Sequence, residues 1–221
     1  MEYKKRIIIL GTGGSSLDIF DIINDINFTK SYLYDFVGFL DDDKSKWGKE
    51  IFGYKILGNL EMSSFFPNCF FVNGIGNSSN FWKKENIISR TKIPLERFET
   101  IIHPTASISK TATIGKGSVI FQNVTININV KIGNHVIILP NTIISHDCII
   151  DDYTCISSGV CVSGNVHIGK SSYLGANSSI IENITIGDYS LIGMGSVILN
   201  SISENSVFVG NPAKFLRHTK N

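Results

Sequence analysis

Branched aliphatic residues recur at every sixth position through the C-terminal half of the chain, from Ile102, Ile108, Ile114 and Ile120 to Ile192 and Ile198. Only Val162 and Leu174 replace isoleucine in that series. Four residues after each stands a small or β-branched residue, as in Ala106, Ala112, Ser118, Val124, Val130 and Thr142. A period of six fits neither the 3.6-residue turn of an α-helix nor a heptad. Gly, Asn and Asp at the intervening positions suit short strands joined by tight corners. The pattern therefore predicts a chain that coils as short strands, each coil stacking on the next to satisfy backbone donors and acceptors. The repeated aliphatics are read as its interior column.

The first hundred residues are patterned differently. Arg6 to Gly11 predicts a buried strand, followed by the loop Thr12-Gly13-Gly14-Ser15-Ser16 and an amphipathic helix over Leu17 to Ile26. Further strands are predicted at Phe36 to Leu40, running into Asp41-Asp42-Asp43, and at Phe70 to Val72, running into Gly74-Ile75-Gly76-Asn77. Ligands on such sheets sit at the carboxyl ends of the strands, so the glycine loop is a candidate phosphate cradle. Gly11 and Gly13, with an acid after the second strand, make half of a dinucleotide fingerprint. Ser16 in the third glycine position and the short reach of residues 1–100 favour a smaller nucleotide ligand over NAD. A tight turn needing positive φ is the purely structural use of the same glycines.

Composition narrows the field without naming a site. With 221 residues, 43% hydrophobic and 18% charged, the chain can bury a full core, and it divides at 1–100, 101–203 and a C-terminal segment 204–221. Twenty basic and nineteen acidic residues are mixed along it, leaving a net charge of +1 and no footprint for nucleic acid or an anionic membrane. Ile7 to Leu10 falls far short of the ~20 residues that span a bilayer. Nothing at Met1 to Arg6 leads into a signal peptide, and Cys69, Cys148, Cys155 and Cys161 lack CxxC spacing. These features predict a cytoplasmic protein with no integral membrane segment. No His/Cys/Asp cluster has ligand spacing, so no metal is expected.

The hexads resemble those of the hexapeptide-repeat acyltransferases, as in Ile114-Gly115, Ile132-Gly133, Ile168-Gly169 and Ile186-Gly187. With the N-terminal domain, the resemblance sharpens to the sialic-acid O-acetyltransferase and bacillosamine N-acetyltransferase family. It is carried by Gly11 to Ser16, Gly38-Phe39-Leu40-Asp41-Asp42, Gly53 to Gly58, Ile75-Gly76-Asn77, Ile102-His103-Pro104-Thr105-Ala106, Ser145-His146-Asp147 and Val209 to Lys214. It implies an α/β N-terminal Rossmann-like domain followed by an all-β left-handed parallel β-helix, three hexads per coil. It further implies a homotrimer, acetyl-CoA as cosubstrate, and a nucleotide-sugar substrate such as a 4-amino-4,6-dideoxy sugar for surface glycans, lipopolysaccharide among them. N- and O-acetylation both stay open. So does a reading of another class, in which a catalytically dead β-helix supports a nucleotide-sensing domain.

Acyl transfer from a thioester needs a base for the acceptor's proton and donors for the developing oxyanion. Among five histidines, His103 precedes Pro104, His218 lies in the tail, and His135 and His167 have no adjacent acid. His146 is followed by Asp147 at the third and fourth hexad positions, where a corner lets both side chains face outward. A carboxylate beside an imidazole favours its productive tautomer. The family's catalytic histidine and acid fall on this pair. Gly164, eighteen residues on, is expected one coil away in the same column, and the resemblance gives its amide the role of polarising the acyl carbonyl. The resemblance also assigns coenzyme contacts to Cys155 and Ala176, although Cys155 replaces a family histidine. It assigns substrate contacts to Gly13, Gly14, Ser15, Asp41, Asp42 and Gly76, with Ser15 again in place of a histidine.

Overall fold

The computed structural model describes residues 4–29 and 33–219. Met1 to Tyr3, read above for a leader, and Lys220 and Asn221, in the C-terminal segment, lie outside the described residues. Near the N-terminus β1 (Lys5–Leu10) is flanked in parallel by β2 (Tyr34–Leu40) and β5 (Cys69–Asn73), with a hairpin of β3 (Glu50–Ile51) and β4 (Tyr54–Lys55) between the last two in sequence. As the central strand, β1 buries Ile7 to Leu10 completely, which explains its unbroken apolar run. Phe52 and Gly53 turn the hairpin with φ of 52° and 80°, as a two-residue turn matched to strand twist requires.

Helix α1 (Gly14–Thr29) extends about a turn beyond the predicted stretch at each end. Its buried Ile19, Ile22, Ile23 and Ile26 follow helical spacing and face the sheet. Ser16, in the third glycine position, is fully buried, and its hydroxyl reaches the Gly74 carbonyl at 3.4 Å. A Cβ on Gly74 would lie 2.2 Å from that oxygen. The close helix–strand approach is thus kept by moving the glycine to the opposite side of the contact. A short helix, α2 (Lys84–Ser89), follows β5.

From Ile101 onward each repeated aliphatic is the second residue of a two-residue strand, and strands eighteen residues apart pair in parallel, as in Ile126 with Ile144 and Ile144 with Val162. Three sheets therefore run along a β-helix of triangular section. Its first face carries Val119–Ile120, Ile137–Ile138, Cys155–Ile156 and Tyr173–Leu174; its second carries Thr125–Ile126, Ile143–Ile144 and Cys161–Val162; its third carries Lys131–Ile132, Ile149–Ile150 and His167–Ile168. The interior aliphatics are almost wholly buried from Ile120 to Ile198, whereas Ile102, Ile108 and Ile114, in the first coil, are half-buried. At the corners the fourth hexad position takes positive φ, as in Asn123, Asn129, Asn141, Asp147 and Asn165. Asn and Asp tolerate this left-handed conformation, which accounts for their recurrence there.

The N-terminal domain packs on the first face. Phe81 meets Tyr173 with ring centroids 5.9 Å apart, Lys170 pairs with Glu85 at 2.7 Å, and Lys84 Nζ donates to the His135 carbonyl at 2.5 Å. His103 joins α1 through Asp25 at 3.0 Å. Because the Thr105 amide donates to His103 Nδ1, the Nε2–H of that ring is the donor to the carboxylate. Ser206–Gly210 adds in parallel beside Leu191–Ile192, and Ala213–His218 folds back antiparallel to close that sheet.

Candidate active site

His146 and Asp147 turn the corner between the second and third faces, directly opposite the face that carries the N-terminal domain. Both side chains point outward, with relative exposures of 59% and 49%. His146 Nδ1 lies 2.9 Å from Asp147 Oδ2. The histidine's hydrogen bond, and then one from Asn129, hold the Asp147 carboxyl below its ordinary range. An ionised carboxylate only accepts, so Nδ1 carries the proton and Nε2 keeps its lone pair for a base.

Gly164 lies under this ring. A Cβ there would be 2.5 Å from both Cε1 and Nε2 of His146, a distance no side chain could occupy. The Asn165 amide donates to the His146 carbonyl at 2.9 Å, fixing the two coils in register. The N–H of Gly164 makes no hydrogen bond among the described residues. The corner thus brings a base nitrogen and an unengaged amide together, and apolar side chains border it: Ile128, Ile143 and Ile149 are all exposed.

The residues assigned to the coenzyme are elsewhere. Ala176 is half-buried at the corner between the first and second faces. Cys155 is neither inward nor at a corner; it is the outward residue of a first-face strand, yet only 4% exposed because the N-terminal domain covers it. Lys84 Nζ donates to its sulfur at 3.4 Å, and a Cβ on Gly76 would lie 2.6 Å from that sulfur. Although no lysine adjoins Cys155 in sequence, one does in space.

At the strand ends, Gly13 and Gly14 have open space where a Cβ would stand, and α1 begins there. The leading amides of a helix have no partners within it, so an anion could approach them. Ser15 is half-buried in the same turn. The two acids are already engaged. Asp41 accepts from the Thr12 amide at 3.0 Å, the Thr12 hydroxyl, the Asp43 amide at 2.9 Å and Lys46 at 3.3 Å. These partners outweigh its partial burial and lower its pKa. Asp42 accepts from the Leu60 amide at 3.1 Å and from Arg90 at 2.7 Å. Gly76 sits at the junction with Cys155.

His167 does have an acid, one that sequence adjacency does not reveal: Asp151 Oδ2 is 2.7 Å from its Nε2. That pair lies on the third face with no glycine beneath the ring. His135 is 2% exposed between Phe98 and Tyr153, and burial, aided by Lys84, lowers its pKa to about 4. Its Nδ1 has no hydrogen-bond partner among the described residues. Among the described residues no group of His, Cys, Asp and Glu could hold a metal, and no helix is long and apolar enough to cross a membrane.

Within this triangular parallel β-helix, residues 129–164 and 165–200 match the model for the bacterial transferase hexapeptide, six repeats. Residues 6–88 match the PglD N-terminal domain. Together the two matches take in most of the chain, which belongs to the hexapeptide-repeat transferases that carry a PglD-type N-terminal domain. The same two-part fold occurs in the acetyltransferase domain of PglB from Neisseria gonorrhoeae FA1090 in complex with acetyl coenzyme A, with a TM-score of 0.83, 23% identity, and coverage of 97% of this chain and 100% of that one. PerB from Caulobacter crescentus, in complex with CoA and GDP-perosamine, matches with a TM-score of 0.82 and 20% identity over 96% of this chain and 97% of its own. WeeI from Acinetobacter baumannii AYE matches with a TM-score of 0.80 and 22% identity over 96% of this chain and 100% of its own. The N-terminal α/β domain and the left-handed β-helix implied by the sequence are thus this chain's fold.

Proposed function

We propose that this protein transfers the acetyl group of acetyl-CoA to the amine of a nucleotide-linked 4-amino-4,6-dideoxy sugar. The observation that carries the reading is the corner at which His146, oriented by Asp147, lies over the backbone of Gly164. His146 Nε2 takes a proton from the acceptor nitrogen as that nitrogen attacks the thioester carbonyl. The Gly164 N–H stabilises the oxyanion, and the intermediate collapses with departure of the CoA thiolate, which takes up a proton. The His167–Asp151 pair is the rival base. No glycine among the described residues has the His167 ring at its Cβ position, and the Nε2 of that ring is the nitrogen engaged by the acid.

Similarity to PerB, crystallised with CoA and GDP-perosamine, and to the PglB domain, crystallised with acetyl coenzyme A, supports both substrates. The glycine turn at Gly13, Gly14 and Ser15 is the proposed nucleotide end, reached through backbone amides; Asp41 shapes the turn through Thr12, and Asp42 is held by Arg90. Ala176 keeps the proposed coenzyme contact, whereas Cys155, sealed under the N-terminal domain, is left to packing at the junction.

The working unit of this reading is a homotrimer. Within one chain the His146 corner and the strand-end residues occupy opposite sides of the prism, so only a neighbouring copy can bring them together. Exposed Ile128, Ile143 and Ile149 supply an apolar border for such a contact. Incubation with acetyl-CoA and a panel of nucleotide-linked amino sugars should add about 42 Da to one member. No gain on any amino sugar, with a gain on a sugar hydroxyl, would move the assignment to O-acetylation. No gain on either would end it.

A further inference from the structure

We infer that Asn129 is a positioning residue for the proposed base, acting by holding the Asp147 carboxylate in the orientation that engages His146. This rests on the acyl-transfer reading above, in which His146 takes the acceptor's proton.

Asn129 stands one coil before Asp147 in the same corner column, and its Nδ2 donates to Asp147 Oδ1 at 3.0 Å. The other carboxylate oxygen, Oδ2, is the one 2.9 Å from His146 Nδ1. The two contacts divide the carboxylate: an amide on one oxygen and an imidazole on the other. An exposed aspartate is otherwise free to rotate about its side-chain bonds and to spend its time in water. With both oxygens engaged from different coils, rotation breaks one hydrogen bond to a charged group at each end.

The corner also gives Asn129 an ordinary reason to be asparagine, since its φ is 59°. Comparable rungs join Asn123 to Asn141 at 3.4 Å and Asn165 to Asn183 at 2.9 Å, amide to amide, and Asn134 to the Asp152 carboxylate at 3.4 Å, away from His146. At Asn129 the rung ends on a carboxylate, and that carboxylate is in contact with the proposed base. The arrangement converts a repeating structural device into one that fixes the tautomer of a histidine.

The charged and titratable groups around the pair are few. Cys148 follows Asp147 but turns inward, its thiol donating to the Ser163 carbonyl at 3.1 Å. Lys110 and Glu182 stand two coils away on either side in the His146 column, and Ile128 and Gly164 are its immediate neighbours there. Among the described residues, the side-chain donors to the Asp147 carboxylate are thus His146 and the amide of Asn129.

Two variants separate positioning from a corner's conformational need, because Gly and Asp both accept positive φ. Asn129→Gly removes the donor, and kcat should fall about 3- to 10-fold with the acetyl-CoA KM unchanged. The acid limb of its pH–rate profile should move to lower pH, because a wandering carboxylate stabilises the imidazolium less. Asn129→Asp puts a second carboxylate against the first, and the limb should move to higher pH. Nitrogen-15 NMR of His146 in the substrate-free protein should show the Nδ1–H tautomer losing population in Asn129→Gly. Wild-type kcat, pH limb and tautomer in both variants would overturn the inference. The NMR reading needs no substrate: if His146→Ala keeps its activity, the base role of His146 fails, while a tautomer shift in Asn129→Gly would still establish the coupling.

Discussion

The Lys84 ammonium stands 3.4 Å from the Cys155 sulfur, sealed where the N-terminal domain meets the first face of the β-helix. Lys84 is fully buried, and burial lowers its pKa, with Cys155 opposing that shift. Its other partner is the His135 carbonyl. A cysteine fits here where an imidazole would not, because Gly76 and Lys84 already touch the sulfur's surroundings. Cys155→His, which would restore the family residue, should therefore destabilise the protein by about 1–3 kcal/mol through overpacking. Thermal unfolding would check it; an unchanged Tm would show that the junction has room to spare.

Gly76→Ala tests the same junction from the other side. Its φ is 139° and the added methyl would stand 2.6 Å from the Cys155 sulfur, so strain and overlap add. A loss of about 2 kcal/mol or more is expected in urea unfolding. A cost below that of an ordinary surface substitution would mean that the domain shifts freely on the helix.

His146→Ala should lower kcat by ~10² to 10⁴-fold while leaving the fold and the acetyl-CoA KM intact. Asp147→Asn should fall between that variant and the wild type, since the base remains but loses its orienting charge. The release of CoA thiol, followed with a chromogenic disulfide, gives both rates. Near-full kcat in His146→Ala would remove the base from the mechanism.

Gly164→Ala brings a methyl to 2.5 Å from Cε1 and Nε2 of His146, so the ring must swing away. The ring's exposure makes that movement cheap for stability. We expect kcat to drop by about 10-fold or more with Tm within a few degrees of wild type. Unchanged kcat would separate the ring position from catalysis.

Stability should fall on acidification through His135. Its folded pKa of about 4 lies below the ordinary value of 6.5, so between these pH values the unfolded chain binds more protons than the native one. The contribution is whole above pH 6.5 and is lost as the pH falls toward 4, amounting to about 3 kcal/mol. Urea unfolding across that window should show the slope, and His135→Asn, which keeps the left-handed corner, should flatten it. Equal slopes would place the acid sensitivity elsewhere.

The hexad series made the β-helix legible, because a strict period of six leaves each aliphatic one geometric role. His146 and Asp147 were legible as neighbours, and Gly164 through the eighteen-residue step. The same step leads from Asp147 back to Asn129, a signal that adjacency alone does not bring out. The His167–Asp151 contact runs diagonally between coils, sixteen residues apart, and follows no simple column. Lys84, His135 and Cys155 meet only because two domains dock, which no local pattern encodes. The resemblance assigns Asp41 and Asp42 to the substrate, yet loop closure brings Thr12, Lys46 and Arg90 onto them.

The corner bearing His146 faces away from its own N-terminal domain. In the proposed assembly a chain cannot serve itself: its histidine works for one neighbour, and its glycine turn is worked on by another. Two inactive chains, one lacking His146 and one with its glycine turn blocked, would then complement each other when co-assembled. Damage in a mixed population would be shared across subunits instead of staying with the chain that carries it.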